Sequence, residues 1–161
     1  MLRQLIPLLI VISLLAPEVS GGKSEGVVDL VIVVNKSSAV HALSSDDLRA
    51  IYLGEKSAWS DGRKVLPVAF GPGSPELHLL LKAVCRMSEA DYKRYFIQMS
   101  FEGKTVVQPR ILSSSAAVRT FVGSNPGAIG PIHSNQVDDR VSIVKLNGAP
   151  GEPAYKLSGQ R

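Results

Sequence analysis

The sequence predicts an α/β domain with helices packed on a small sheet. Three observations carry that expectation: a nearly unbroken β-branched run at 27–34, apolar stripes at helical spacing that alternate with shorter apolar runs, and short connections with no internal repeat. At 161 residues the chain is long enough for one domain with its own core and too short for two comfortable ones.

The first predicted element is the strand "VVDLVIVV" at 27–34, whose continuous apolar character suits burial on both faces. A helix follows, capped by Ser44 or Ser45, with Asp46 and Asp47 in its first turn where the helix dipole favours carboxylates. Leu48, Ile51 and Tyr52 form its inner stripe and Gly54 ends it. The turn "WSDGRK" leads to a second strand, "VLPVAF". Ser74 caps the next helix with Pro75 at its first position, and Leu77, Leu80, Leu81 and Val84 recur along one face. A third helix starts at Ser88, with Asp91 three residues on, and is expected to bury Tyr92, Tyr95, Phe96 and Met99. The stretch "SFEGKTVVQP" reads as a loop. The serines at 113–115 open a fourth helix that buries Val118, Phe121 and Val122 and stops at "GSNPG". "AIGPI" and "VSIVKL" read as strands, and the Gly/Pro-rich end as a loose tail.

The start of the chain, "MLRQLIPLLIVISLLAPEVSGGK", has the layout of an export signal. Arg3 supplies the positive region, Leu5 to Leu15 the apolar region, and the small residues near Gly21 and Gly22 the exit. That apolar run is about a dozen residues against the ~20 needed to span a bilayer. The expected organisation is a signal peptide at 1–22, an α/β domain at 23–148 and a flexible tail at 149–161, with the product periplasmic or secreted and no stable membrane anchor after cleavage. The single cysteine, Cys85, cannot form an internal disulfide and sits beside an apolar stripe, which suits a buried side chain.

The charge excess of +4 is scattered, with no basic run and no series of aromatic residues, so no nucleic-acid partner is expected. His41, His78 and His133 lie in separate segments without ligand-like spacing, so no metal site is expected. "GKT" at 103–105 fails as a phosphate loop because Gln98 stands where a glycine is required. No nucleophile elbow and no placed Cys/His pair is present, so no catalytic residue, enzyme activity or cofactor is expected. What remains are the hydroxyl-rich helix starts. Each combines free N–H groups with the positive end of a helix, which suits an oxyanion, and each is equally explained by capping alone.

The block "VIVVNKSSAVHALSSDDLRAIYLGEKSAWSDGRKVLPVAFGPGSPE", followed by "NPGAIGPI", resembles the phosphate-type periplasmic solute-binding proteins of ABC transporters. The resemblance covers roughly 28–132. It is most specific from Leu43 to Gly62, where Leu43, Leu48, Ile51, Leu53, Gly54, Trp59, Asp61 and Gly62 are all in place. It implies a single lobe like one domain of a type II periplasmic binding protein, with a small mixed sheet. The family's anion turn carries an arginine, then Ser-Gly-Thr at the helix start. Those positions fall here on Phe70, Ser74, Pro75 and Glu76, so only Ser74 carries over.

The expected ligand contacts are Lys36, Ser37 and Ser38 after the first strand, Gly73 and Ser74 at the second helix, and Ser113, Ser114 and Ser115 at the fourth. Two readings follow. One is an exported domain that binds phosphate or another small oxyanion, with a second copy or another protein closing the site. The other is an envelope interaction module that has lost its anion pocket, with a homodimer or an envelope protein as partner.

Overall fold

The computed structural model of the chain describes residues 28–146 and 156–159. The elements run β1 (Val28–Asn35), β2 (Ala42–Leu43), α1 (Ser45–Tyr52), β3 (Leu66–Phe70), α2 (Pro75–Leu80), α3 (Glu89–Phe101), β4 (Arg110–Leu112), α4 (Ser115–Ser124), β5 (Ala128–His133), β6 (Val141–Ile143), β7 (Lys145–Leu146) and β8 (Lys156–Gly159). A π-helical turn, Leu81–Cys85, extends α2, and Arg86 ends it in the left-handed conformation. The predicted caps hold: Ser44, Ser74, Ser88 and Ser114 each accept a hydrogen bond from the backbone N–H three residues on.

The main sheet has the order β4-β3-β5-β1-β6, with β8 also on β1. β3 runs parallel to both β4 and β5, whereas β1 is antiparallel to β5, β6 and β8. Leu30 to Val34 are buried throughout, as the unbroken apolar run predicts. The carboxyl ends of β3, β4 and β5 therefore lie at one end of the sheet, and the carboxyl end of β1 lies at the other. That reversal decides which loops can share a site.

The sequence block that carried the family resemblance builds the core. Leu48, Ile51 and Tyr52 of α1 are fully buried. Gly54 sits at φ 74°, and a Cβ there would come within 2.8 Å of the Val107 backbone, so glycine is required twice over. Trp59 is buried and donates its indole N–H to the carbonyl of Gly127 at 3.0 Å. A Cβ on Gly127 would stand 2.2 Å from the Lys64 carbonyl oxygen. The tryptophan turn and the "NPGAIG" segment thus lock one another in place.

Four expectations differ from the structure. Residues 110–112, which lie between the loop expected at 100–109 and the serine run at 113–115, form β4. α3 continues through Phe101 and fully buries only Phe96 of its predicted stripe, because Tyr92 and Tyr95 turn their hydroxyls to the Tyr52 carbonyl and the Glu55 carboxylate. "VSIVKL" divides into β6 on the main sheet and β7 beside β2. Of the expected tail, the described residues 156–159 form β8, paired with Val28–Val31. The expected signal peptide lies outside the described residues.

Candidate functional site

Each of the three adjacent parallel strands β4, β3 and β5 ends in a loop carrying polar side chains. After Phe70, the turn Gly71–Gly73 closes with the Ser74 N–H on the Gly71 carbonyl at 3.2 Å. Ser74 then caps α2, accepting from the Leu77 N–H at 3.1 Å. After Leu112, Ser113 leads to Ser114, which caps α4 by accepting from the Ala117 N–H at 3.2 Å. β5 ends at His133, whose N–H donates to the buried Ser115 hydroxyl at 3.1 Å. These three ends enclose a cavity of about 660 Å³, lined among others by Phe70, Gly73, Ser74, Glu76, Ser113, Ser114, Ser115, His133 and Gln136.

The two helix starts that meet here are unequal. At α2 the first N–H is missing because Pro75 has none, and Glu76 places a carboxylate in the first turn. That carboxylate reaches across the cavity, 3.1 Å from His133 Nε2. The neighbouring Gly73 N–H is also engaged, donating to the Glu89 carboxylate at 3.0 and 3.2 Å. At α4 the first turn carries no acidic residue. Its first-turn N–H groups at Ser115 and Ala116 have no intrahelical acceptor by the geometry of a helix start. Among the described residues, no lysine or arginine lines the cavity. Its polar equipment is therefore hydroxyls, amides, one histidine and one carboxylate.

Of the sequence-predicted contacts, Gly73, Ser74, Ser113, Ser114 and Ser115 come together at this cavity. Lys36, Ser37 and Ser38 do not line it. β1 is antiparallel to β5, so they emerge at the opposite end of the sheet, roughly 20 Å away for a six-residue strand. There the Lys36 backbone N–H donates to the Arg140 carbonyl at 3.1 Å, and the two serines make local hydrogen bonds. The Asn35 side-chain oxygen accepts from the Ser37 N–H at 2.8 Å and from its hydroxyl at 2.7 Å, and the Ser38 hydroxyl accepts from the Val40 N–H at 3.2 Å. Sequence reasoning passed over His133 as a site residue. Its one local signal is position: it directly follows "AIGPI", at the carboxyl end of a strand, where open α/β sheets place their ligands.

The mixed sheet, the direction of its strands and a polar cavity at their shared carboxyl ends define the class: a domain with the fold of phosphate-type solute-binding proteins, as the sequence resemblance implied. No family model matches the chain. It is 24% identical over 135 residues to the phosphate-binding protein PstS of Bacillus subtilis, an alignment covering 83% of this chain and 41% of that protein. A phosphate ABC transporter substrate-binding protein from Clostridium perfringens, solved with bound phosphate, superposes with a TM-score of 0.64 at 24% identity over 83% of this chain and 54% of its own. An ABC-type phosphate transport receptor from Vibrio cholerae gives a TM-score of 0.62 at 20% identity, over 82% and 54%. The chain thus spans about half the length of the relatives it matches.

Proposed function

We propose that this chain is an exported, periplasmic solute-binding-like domain whose cavity at the ends of β3, β4 and β5 receives a small oxyanion such as phosphate, without catalysing a reaction. The convergence of Gly73, Ser74 and Ser113–Ser115 on one cavity carries this reading. The resemblance to binding proteins named for phosphate supports it. The anion lies against the start of α4, where the Ser115 and Ala116 amides and the Ser113 and Ser114 hydroxyls can donate and the first turn itself carries no carboxylate. Ser74 and His133 form the facing rim.

Affinity in this half-built site is low. Micromolar binding needs about 8 kcal/mol, and an exposed helix end supplies only about 0.3–1 kcal/mol of charge stabilisation. A further wall, from another domain or a second copy, is needed for tight capture. Calorimetric titration of the chain from Lys23 onward with phosphate, sulfate and acetate tests the reading, and no heat and no melting shift at millimolar anion would remove it.

Glu76→Gln sharpens the same test. It takes a negative charge off the cavity, so the phosphate affinity should rise about tenfold, the equivalent of 1.4 kcal/mol. The lost Glu76–His133 contact, partly solvent-exposed, should lower stability by less than about 1 kcal/mol. An unchanged or weaker phosphate affinity would move the anion away from Glu76.

The second reading, an envelope interaction module without an anion pocket, rests on one observation: the Glu76–His133 pair already joins the two sides of the cavity. Under that reading Glu76→Gln leaves anion binding undetectable, and partner binding survives Ser74→Ala.

A further inference from the structure

β4 is the end strand of the sheet and, among the described residues, pairs with β3 alone. Two grooves flank it, one on each face. The first, about 900 Å³, is lined by Ile97 and Phe101 of α3 and Ile111 of β4, with Lys93 beside them. The second, about 560 Å³, takes Arg110 and Leu112 of the same strand together with Phe121 of α4. Alternation along β4 sends Ile111 to one groove and its two neighbours to the other, as a pleated strand requires. Phe101 is 88% exposed, and Ile97 and Ile111 are about half exposed, so three of the four large exposed hydrophobic residues described in the chain border one strand edge.

Two cations border this edge without an ion pair among the described residues. The Arg110 guanidinium lies over the Phe121 ring at 4.9 Å and has no carboxylate partner among the described residues. Lys93 likewise has none, but Glu89, one helical turn before it, keeps a carboxylate in the same groove, so Arg110 alone sets the charge preference. Pro109 precedes the strand and keeps the open edge to three residues, so backbone pairing alone would bind weakly and the grooves must supply the rest.

We propose that β4 is a strand-addition site for an extended segment of a partner protein in which apolar and acidic residues alternate. The partner strand pairs with Arg110–Leu112, its apolar side chains cover Ile97, Phe101 and Ile111, and its carboxylates face Arg110. Edge pairing of this kind draws affinity from main-chain hydrogen bonds and specificity from pockets for alternate side chains. The surface adjoins the oxyanion cavity, sharing Pro72 and Ala116 with it, but Ile97, Phe101, Arg110 and Ile111 do not line that cavity.

A fluorescein-labelled pentapeptide of alternating isoleucine and glutamate (Ile-Glu-Ile-Glu-Ile), titrated with the chain from Lys23 onward and followed by anisotropy, tests the site. Saturable binding is expected, weakened at least about tenfold by lysine in place of the glutamates, by N-methylation of the glutamate amides, and by Arg110→Glu or Phe101→Ser in the protein. Lys36→Glu, at the far end of the sheet, should leave binding unchanged and controls for overall charge. Phe101 is so exposed that its replacement leaves the fold intact, which a thermal melt verifies. Equal binding of both peptides, indifference to Arg110→Glu and Phe101→Ser, or no anisotropy change at millimolar protein overturns the proposal. So does a dimer in sedimentation velocity that Phe101→Ser disperses, which would assign the edge to a second copy of the chain.

Discussion

Two serine-bearing turns in this molecule have nearly the same local chemistry and opposite fates. "NKSS" follows β1, and "LSSS" follows β4. At the first, the serines are absorbed: Asn35 gathers the Ser37 amide and hydroxyl, and its own amide group donates to the carbonyls of Val122 and Gly123 at 2.8 Å each. At the second, Ser114 caps a ten-residue helix and Ser115 holds the end of β5, while the remaining hydroxyl and amide groups face a cavity. The difference is one of strand direction. A loop can line a shared cavity when its strand ends beside other loops that carry donors, and β1 runs against its neighbours β5, β6 and β8 in the sheet.

The comparison breaks most visibly at Asn35. Its side chain satisfies two carbonyls at the end of α4 from a 6% exposed position. Asn35→Ala strands the partly buried Gly123 carbonyl and leaves the Val122 carbonyl with only the Asn125 N–H at 3.3 Å, at about 1–3 kcal/mol for a stranded group. A loss of about 2 kcal/mol in urea unfolding is expected, with the phosphate response of the surviving folded protein unchanged. A loss of the phosphate response with wild-type stability would reverse the roles assigned to the two turns.

Ser114→Ala should show the opposite balance. Removing an N-cap hydroxyl costs about 1 kcal/mol of stability, while the cavity loses a hydroxyl at the one helix start whose first turn carries no carboxylate. The heat of phosphate binding should fall severalfold at a stability cost that urea titration can measure separately. If stability falls and anion binding does not, Ser114 is a cap and nothing more.

Much of this architecture was legible because it rests on local chemistry. Four serine caps, the buried run of β1 and the glycine after α1 follow from residue type and spacing alone. The block from Leu43 to Gly62 that resembles binding proteins supplies scaffold: Trp59 and Gly54 hold backbone segments together and do not line the cavity. β4 was missed since three residues after a proline, exposed at the sheet edge, show neither alternation nor a continuous apolar run. The grouping of Ser74 with Ser113–Ser115 was half legible, because each helix start was visible but their meeting depends on β3 and β4 lying side by side. The separation of Lys36–Ser38 from that cavity has the same cause. Nothing local in "VVDLVIVVNK" says that its neighbour in the sheet runs the other way.

The smallest expected effect tests whether a first-turn carboxylate that serves only its own helix behaves differently from Glu76. Asp47 lies in the first turn of α1, away from the cavity, where Lys56 at 2.6 Å and the Ser44 hydroxyl hold its carboxyl below the ordinary 3.8. The unfolded chain then takes up the proton at a higher pH than the folded one. Asp47 therefore contributes stability that is fully present above 3.8 and is lost as pH falls through the lower folded value. The pair is substantially exposed, so the contribution is screened by solvent and stays small. Urea midpoints measured at about pH 6 and about pH 3 should show Asp47→Asn slightly less stable than wild type at the higher pH and converging with it at the lower. Phosphate binding should be identical in the two proteins. A constant gap across that range would mean that Asp47 acts through packing rather than charge, and the contrast with Glu76 would then rest on the cavity alone.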